Sequence, residues 1–269
     1  GWHIECSSMS RTELGQPFDI HGGGRDLIFP HHECEIAQSE SAYGKKFCTT
    51  WLHNGFITVN KEKMSKSLGN FSTLKQIFEQ YPPRVVRYFY LTAHYRSPIE
   101  FSLELLGQAQ NALKTIDEFI NNLSFYQNFG ASKNWETKDA TCVKEIADKL
   151  KEFEKAMDSD FDTPSALACL FEMIKLINIQ YQTNALTKES CEEAWKVFYE
   201  VNKVLNLSPI HNLGEVLRQG NEEIQKLVNA REDARKAKEW SKADEIRNQI
   251  EKRGIFLEDT PHGPNWRWK

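Results

Sequence analysis

Long apolar runs are missing from this 269-residue chain: nothing in it approaches the ~20 residues that a membrane helix needs. A basic segment followed by an apolar one, the pattern of a secretory leader, is also absent from the start Gly1-Trp2-His3-Ile4-Glu5-Cys6. The six cysteines (6, 34, 48, 142, 169 and 191) form no CxxC pair and no dense framework, which argues against a disulfide scaffold and for reduced thiols in a cytoplasmic protein. Charge of one sign is not in excess. A net charge of −4 excludes a globally basic nucleic-acid binder but leaves room for a local basic patch. Internal repeats and low-complexity tracts are lacking too. What remains has the apolar, aromatic and charged content of an ordinary globular protein with room for about two domains. Trp2, Ile4 and Cys6 make residue 1 look like the middle of a domain, so the chain is expected to be part of a longer protein.

The first 72 residues mix short apolar runs with glycine turns. Phe18-Asp19-Ile20-His21 alternates as a strand does and is expected to enter a tight loop at Gly22-Gly23-Gly24. Pro30 suits the first turn of a helix running through Glu35. Trp51 to Val59 reads as extended chain broken at Asn54-Gly55. After Ser72 helical spacing takes over. Leu106, Leu113, Ile116, Ile120 and Leu123 share one face, as do Val143, Ile146, Leu150 and Phe153, and Leu167, Phe171, Ile174 and Ile177. These predict an antiparallel bundle over 102 to about 205, interrupted by a loop over 126–141, with a linker marked by Ser208-Pro209 and Gly214. A helix over 224–240, a second one capped by Ser241 and ending at Gly254, and a short strand at Ile255-Phe256-Leu257 predict a small appended module. The last residues read as a Pro- and Gly-rich tail bearing Trp266 and Trp268.

Four constellations carry chemistry. Cys6 with His31 and Glu35 offers a thiol, an imidazole and a carboxylate, and the last two stand at i and i+4, suited to gripping one zinc ion. His32 and Cys34 are alternatives that spacing leaves open, as is a buried cysteine beside a helix-surface His–Glu pair. His21-Gly22-Gly23-Gly24-Arg25-Asp26 allows backbone amides to approach a nucleotide and a carboxylate to accept from a ribose hydroxyl, although a simple tight turn fits equally. Lys63-Met64-Ser65-Lys66-Ser67 places two lysines where they can neutralise the phosphates of ATP as pyrophosphate departs. Arg231, Arg235, Lys236 and Lys238 with Trp240, Trp266 and Trp268 combine cations and aromatics as readers of single-stranded RNA do. Glu232, Asp233 and Glu239 among them would equally mark a solvated helix.

The string KMSKS following a glycine-rich turn resembles the second half of a class I aminoacyl-tRNA synthetase. GWHIECS, FDIHGGGRDLIFPHHECEIAQSE and WLHNGFITVNKEKMSKSLGNF resemble the cysteinyl-tRNA synthetase family, as do RYFYLTAHYRSPIEFS, DFDTPSALA and ARKAKEWSKADEIRNQIEKRGIFLED. The resemblance implies an α/β partial Rossmann-type catalytic domain, then an all-α helix bundle and a small mixed α/β C-terminal module. In residues, these are 1–72 with the zinc site and KMSKS loop, 73–101 as a connecting helical region, 102–213 as a tRNA-binding bundle and 214–269 for anticodon recognition. It implies zinc on Cys6, His31 and Glu35, holding the thiolate of substrate cysteine beside Trp2 and His21. ATP with magnesium would lie on Gly22, Gly23, Gly24, Asp26 and Lys66, with Lys63 and Lys66 catalytic. Arg235, Trp240, Asp244 and Asp259 match anticodon-reading positions. The implied partners are ATP, L-cysteine and cysteine tRNA, the implied state a monomer, and no membrane is involved. Residue 34 departs from the pattern, being Cys where the family usually carries Asn. The family's HIGH signature and a further cysteine ligand have no counterpart here, so these 269 residues alone are expected to be inactive. Two rival readings are a cysteine ligase acting on an amino-sugar and a tRNA-binding module without catalysis.

Overall fold

The computed structural model describes residues 1–64, 72–129, 140–183, 185–209, 221–252, 255–260 and 263–268. The chain divides into two compact units, Gly1–Ala109 with Phe161–Pro164, and Gln110–Asp160 with Ser165–Lys269.

In the first unit a helix, α1 (Trp2–Leu14), precedes β1 (Phe18–Gly24), α2 (Glu33–Tyr43) and β2 (Cys48–Asn54). β1 and β2 are parallel, with His21 opposite Trp51 and Gly23 opposite His53. The β–α–β order is the grammar that the sequence predicts, and a right-handed crossover through α2 is what such parallel pairing requires. Phe18, Phe47 and Cys48 form its small apolar core, with Trp51 packed against them.

Two local expectations are corrected. Gly22, Gly23 and Gly24 continue β1 instead of forming a tight loop, because the five consecutive rungs from Ile20 to Gly24 need extended backbone there. Pro30 lies in the irregular turn Ile28–His32, where Phe29 is extended (φ −133°, ψ 133°), and α2 itself begins at Glu33. Beyond β2, Asn54-Gly55 breaks the chain as expected. A Cβ at residue 55 would collide with the Ser97 carbonyl, so the close approach of these two segments demands glycine. β3 (Ile57–Val59) then pairs antiparallel with β4 (Glu62–Lys63) and parallel with β5 (Ile99–Glu100). The Glu100 carboxylate accepts from Thr58 Oγ1 and from the Lys61 amide, tying down the approach to KMSKS. Of that motif Lys63 and Met64 are described, and Lys66 lies outside the described residues. α3 (Leu74–Phe78) starts with a capping box between Thr73 and Gln76, and α4 (Pro83–Leu91) with proline in its first turn.

α5 (Leu103–Phe129) opens in the first unit and continues into the second, where α6 (Ala140–Asp158), α7 (Thr163–Gln182) and α8 (Lys188–Leu205) follow. The loop expected over 126–141 is corrected at both ends, where helix runs through Phe129 and another begins at Ala140, and the rest of it lies outside the described residues. Leu106, Leu113, Ile116, Ile120 and Leu123 are all buried, as are Ile146, Phe153, Leu167, Ile174 and Ile177. Each such burial removes apolar surface worth ~1.5–3 kcal/mol from water. Asn202, itself buried, closes α8 by accepting from the Leu207 and Ser208 amides and donating to the Ser208 carbonyl.

The remaining elements are α9 (Asn221–Lys236), α10 (Trp240–Lys252) and a hairpin of β6 (Ile255–Thr260) with β7 (Gly263–Trp268). Trp240 begins α10, so Ser241 lies inside its first turn and is not the cap. β7 corrects the reading of an irregular tail: its pairing with β6 satisfies backbone groups that Pro264 and Gly263 made look unstructured. The expected markers Gly214 and Gly254 lie outside the described residues.

Candidate functional site

The sequence places Trp2, His3, Cys6 and Ser7 on adjoining rows of α1, at spacings of three to five that a helix turns to one side. That side meets α2. Ser7 Oγ donates to Gln38 Oε1 at 3.0 Å, and His3 Nδ1 lies 2.6 Å from His31 Nδ1. Cys6, His31 and Glu35 are thereby gathered, with their ligand atoms within 4.8 Å of one another. At about 2.0–2.3 Å per bond to zinc, that is close to the span that one ion bridges.

Glu35 is the centre of the site and is completely buried. Its Oε1 lies 3.0 Å from His31 Nε2 and its Oε2 2.9 Å from His21 Nε2. Yet neither oxygen makes a properly directed hydrogen bond. A buried carboxylate with an imidazole nitrogen about 3 Å from each oxygen and the Cys6 thiol beside it gathers oxygen, nitrogen and sulfur ligand atoms in one place. That is the arrangement of a cation site. Burial raises the Glu35 carboxyl above the usual range. The Cys6 thiol is also pushed up, first by burial and then by Glu35. Burial lowers His21 and His31, and takes His32 down to about 4. The imidazoles are therefore neutral at pH 7, the form that binds metals.

The structure brings together more than the expected three. His21, His32 and Glu35 make a second grouping of the same kind around the same carboxylate. His32 Nδ1 is 2.7 Å from His53 Nε2, so His21, His31 and His32 gather at one acid while His3 and His53 stand behind two of those rings, five of the chain's eight histidines in one cluster. A sulfur donor and an imidazole held from behind by His3 favour the first grouping, since zinc sites combine soft thiolate with oriented imidazole. His3 and His53 were not singled out from sequence, where nothing in their spacing connects them to the site. Their neighbours in sequence, Trp2 and the HNG turn, were the only signal. Cys34 is partly buried on α2 and belongs to neither grouping among the described residues.

Trp2 stacks on His31 with ring centroids 4.1 Å apart and is more than half exposed, open to whatever the site binds. His21 lies edge-on to Trp51 at 4.9 Å. Gly23 has a packing role: a Cβ there would sit 2.9 Å from His32 Cε1, so only glycine lets that ring lie against β1. Asp26, in the turn after β1, accepts from Lys63 Nζ at 2.8 Å, an ion pair that holds its carboxyl below the usual range. The turn that follows the glycine segment and the first KMSKS lysine thus meet.

In the second unit Arg235 and Asp259 are brought together, Arg235 Nη1 to Asp259 Oδ1 at 2.9 Å. Asp244 stands one turn into α10, and its charge is felt by Arg231 in the same cluster. Trp240 is largely exposed at the start of α10.

Three segments of the chain match known protein families. Residues 1–111 match the tRNA synthetases class I (C) catalytic domain, 152–208 the DALR domain, and 218–267 the cysteinyl-tRNA ligase anticodon binding domain. The chain is 44% identical over 274 residues to the cysteine–tRNA ligase of Carboxydothermus hydrogenoformans, covering 99% of this chain and 56% of that protein. It is 43% identical to the cysteine–tRNA ligase of Thermococcus gammatolerans, again over 99% of this chain and 56% of that one. The chain thus spans a little over half the length of the curated relatives it matches. A chain in the crystal structure of the ternary complex of Agrobacterium radiobacter K84 agnB2 LeuRS-tRNA-LeuAMS shares the fold, with a TM-score of 0.56 at 14% identity, covering 75% of this chain and 30% of that one. No helix among the described residues is long and apolar enough to cross a membrane. With a class I catalytic segment, a DALR segment and an anticodon-binding segment in order, the chain belongs to the cysteine–tRNA ligase family of class I tRNA synthetases, which it matches as a C-terminal portion.

Proposed function

We propose that the full-length protein is a cytoplasmic, monomeric cysteine–tRNA ligase, and that this chain supplies its cysteine-selecting site, part of its ATP site and its anticodon reader. The observation that carries the reading is the buried Glu35 carboxylate facing Cys6 and two imidazoles. Cys6, His31 and Glu35 would hold zinc, which supplies an affinity for thiolate that a neutral serine hydroxyl cannot match. Such a difference makes a separate editing step unnecessary. His3 holds the His31 ring by its far nitrogen, and Trp2 covers it, so the ligand cannot turn away. Trp2 and His21 flank the place of the substrate side chain.

Cysteine's carboxylate attacks the α-phosphorus of magnesium-bound ATP, and pyrophosphate leaves. The 3′-terminal hydroxyl of the tRNA then takes the cysteinyl group, and AMP leaves. Gly22, Gly23 and Gly24 line the nucleotide's approach. Lys63, which pairs with Asp26, would transfer to the phosphates and free Asp26 for a ribose hydroxyl, while Lys66 bears on the departing pyrophosphate. Arg235, Trp240, Asp244 and Asp259 would read the anticodon, with residues 102–213 as a tRNA-binding bundle and 214–269 as the reader.

The test is cysteine-dependent ATP–pyrophosphate exchange and charging of cysteine tRNA by the full-length protein, before and after zinc chelation. Both should fall on chelation and return with zinc. Exchange that is indifferent to chelation would overturn the zinc role, and exchange without tRNA charging would favour a ligase acting on a small-molecule acceptor.

A further inference from the structure

Helical and strand periodicity put Val228, Arg231 and Arg235 on one side of α9, and Leu257 and Asp259 on one side of β6. The apolar members of these rows, Val228 and Leu257, form a core with Ile246 and Ile250. Arg231 is the next residue along, and it is 4% exposed. Its two terminal nitrogens grip Asp259 as a fork, Nη1 to Oδ1 at 2.8 Å and Nη2 to Oδ2 at 2.9 Å, and Nη1 also meets Glu232 Oε1 at 3.0 Å. Arg235, one turn on, reaches the same Oδ1 but is 38% exposed, and the Asp259 side chain is 43% exposed.

A buried guanidinium is a costly way to fill a core rim. An apolar residue of similar volume often serves stability as well or better. What the fork adds is orientation: two parallel hydrogen bonds fix the plane of the carboxylate as no single contact does. The buried fork occupies one lone pair on each oxygen and Arg235 Nη1 takes a second on Oδ1, so on this partly exposed carboxylate it is the outer lone pair of Oδ2 that is left to accept, beside the exposed Arg235 guanidinium. An acceptor and a donor thus stand side by side in a set plane, the pattern that recognises the edge of an unpaired base.

We propose that Arg231 is a positioning residue for anticodon reading: it touches no RNA, and through Asp259 it sets the acceptor–donor pair that Asp259 and Arg235 present to one base. This rests on the anticodon-reading role proposed above.

The experiment measures kcat/KM of the full-length protein for cysteine tRNA and for transcripts with single anticodon substitutions. Cysteine-dependent ATP–pyrophosphate exchange and thermal melting serve as controls. Arg231→Lys keeps the charge and loses the fork. It should cut discrimination between the transcripts by about 10-fold, as loss of one base contact does, while exchange is unchanged. The double variant Arg231→Lys/Asp259→Asn should be no worse than Asp259→Asn alone. Should Arg231→Lys unfold the segment, Arg231→Gln takes its place under the same criteria. If Arg231→Lys leaves discrimination intact while Arg235→Met abolishes it, the positioning role is wrong and the anticodon reading stands. Losses that multiply in the double variant likewise overturn a role acting through Asp259. If Arg235→Met and Asp259→Asn both discriminate as before, the anticodon reading itself falls and this inference falls with it.

Discussion

Glu35 and Asp259 are both carboxylates approached through both oxygens, and they end in opposite electrostatic states. Glu35 is fully buried among imidazoles, and burial raises its carboxyl. Asp259 is partly exposed between two guanidiniums, and Arg231 lowers it. Imidazole gives up its charge when buried, whereas guanidinium does not. The histidines around Glu35 therefore supply ligand atoms without neutralising it, and the arginines around Asp259 neutralise it without needing anything further. One cluster has the ligand atoms that a cation could complete. The other is complete, and what it offers is a fixed surface.

The largest effect expected from breaking this contrast is at Glu35 or Cys6. In the full-length protein Glu35→Gln and Cys6→Ser each remove a ligand, so zinc affinity should fall by more than the ~10–100-fold that loss of an outer-shell partner costs. Metal analysis after dialysis checks this, and full zinc occupancy would remove those residues from the site. Next is Lys66→Ala, which should slow cysteine-dependent ATP–pyrophosphate exchange by roughly 100-fold while cysteine affinity changes little, because the charge counts most as pyrophosphate departs. A normal exchange rate with weakened cysteine binding would place Lys66 in the pocket instead.

His3→Ala sharpens the comparison from the supporting side. The His31 ring then loses its rear partner, and zinc affinity should drop about 10-fold, at the lower end of such effects; competition with a chromogenic chelator reads it. Asp259→Asn should give the smallest change. A carboxyl lowered on folding stabilises the folded state above its unfolded value, and that contribution is lost as pH falls through the lowered folded value. For a carboxylate this exposed it is worth about 1 kcal/mol or less. Asp259→Asn should therefore lower the melting temperature slightly at pH 7 and not at all once the pH is acid enough to protonate the carboxyl in the folded protein. An equal shift at both pH values would show that the ion pair is not its source.

Much of this was legible before any fold was known. Ile116, Ile120 and Leu123 announce a buried helix face by spacing, and all are buried. His31 and Glu35 at i and i+4 do share the side that meets Cys6. The glycines were legible as special and misread in kind: their sequence suggests a turn, yet Gly23 is a strand residue whose missing side chain makes room for His32. β7 was hidden by Gly263 and Pro264, because strand pairing is a property of two segments and neither shows it alone.

Local order and family are what the sequence by itself determined, since periodicity and motif strings are properties of neighbouring residues. It determined the β–α–β opening, the helical middle, the thiol, imidazole and carboxylate able to bind a metal, and the two-lysine motif. Only the tertiary structure decided which side chains share a point in space. It put His3 behind His31 across 28 residues and His53 behind His32 across 21, and it joined Asp26 to Lys63 across 37. It likewise set Arg231 under Asp259 across 28 residues, turning an arginine that looks like any other on a charged helix into a buried fork. Contacts between distant segments depend on how whole elements pack, and no local pattern of residue types encodes that.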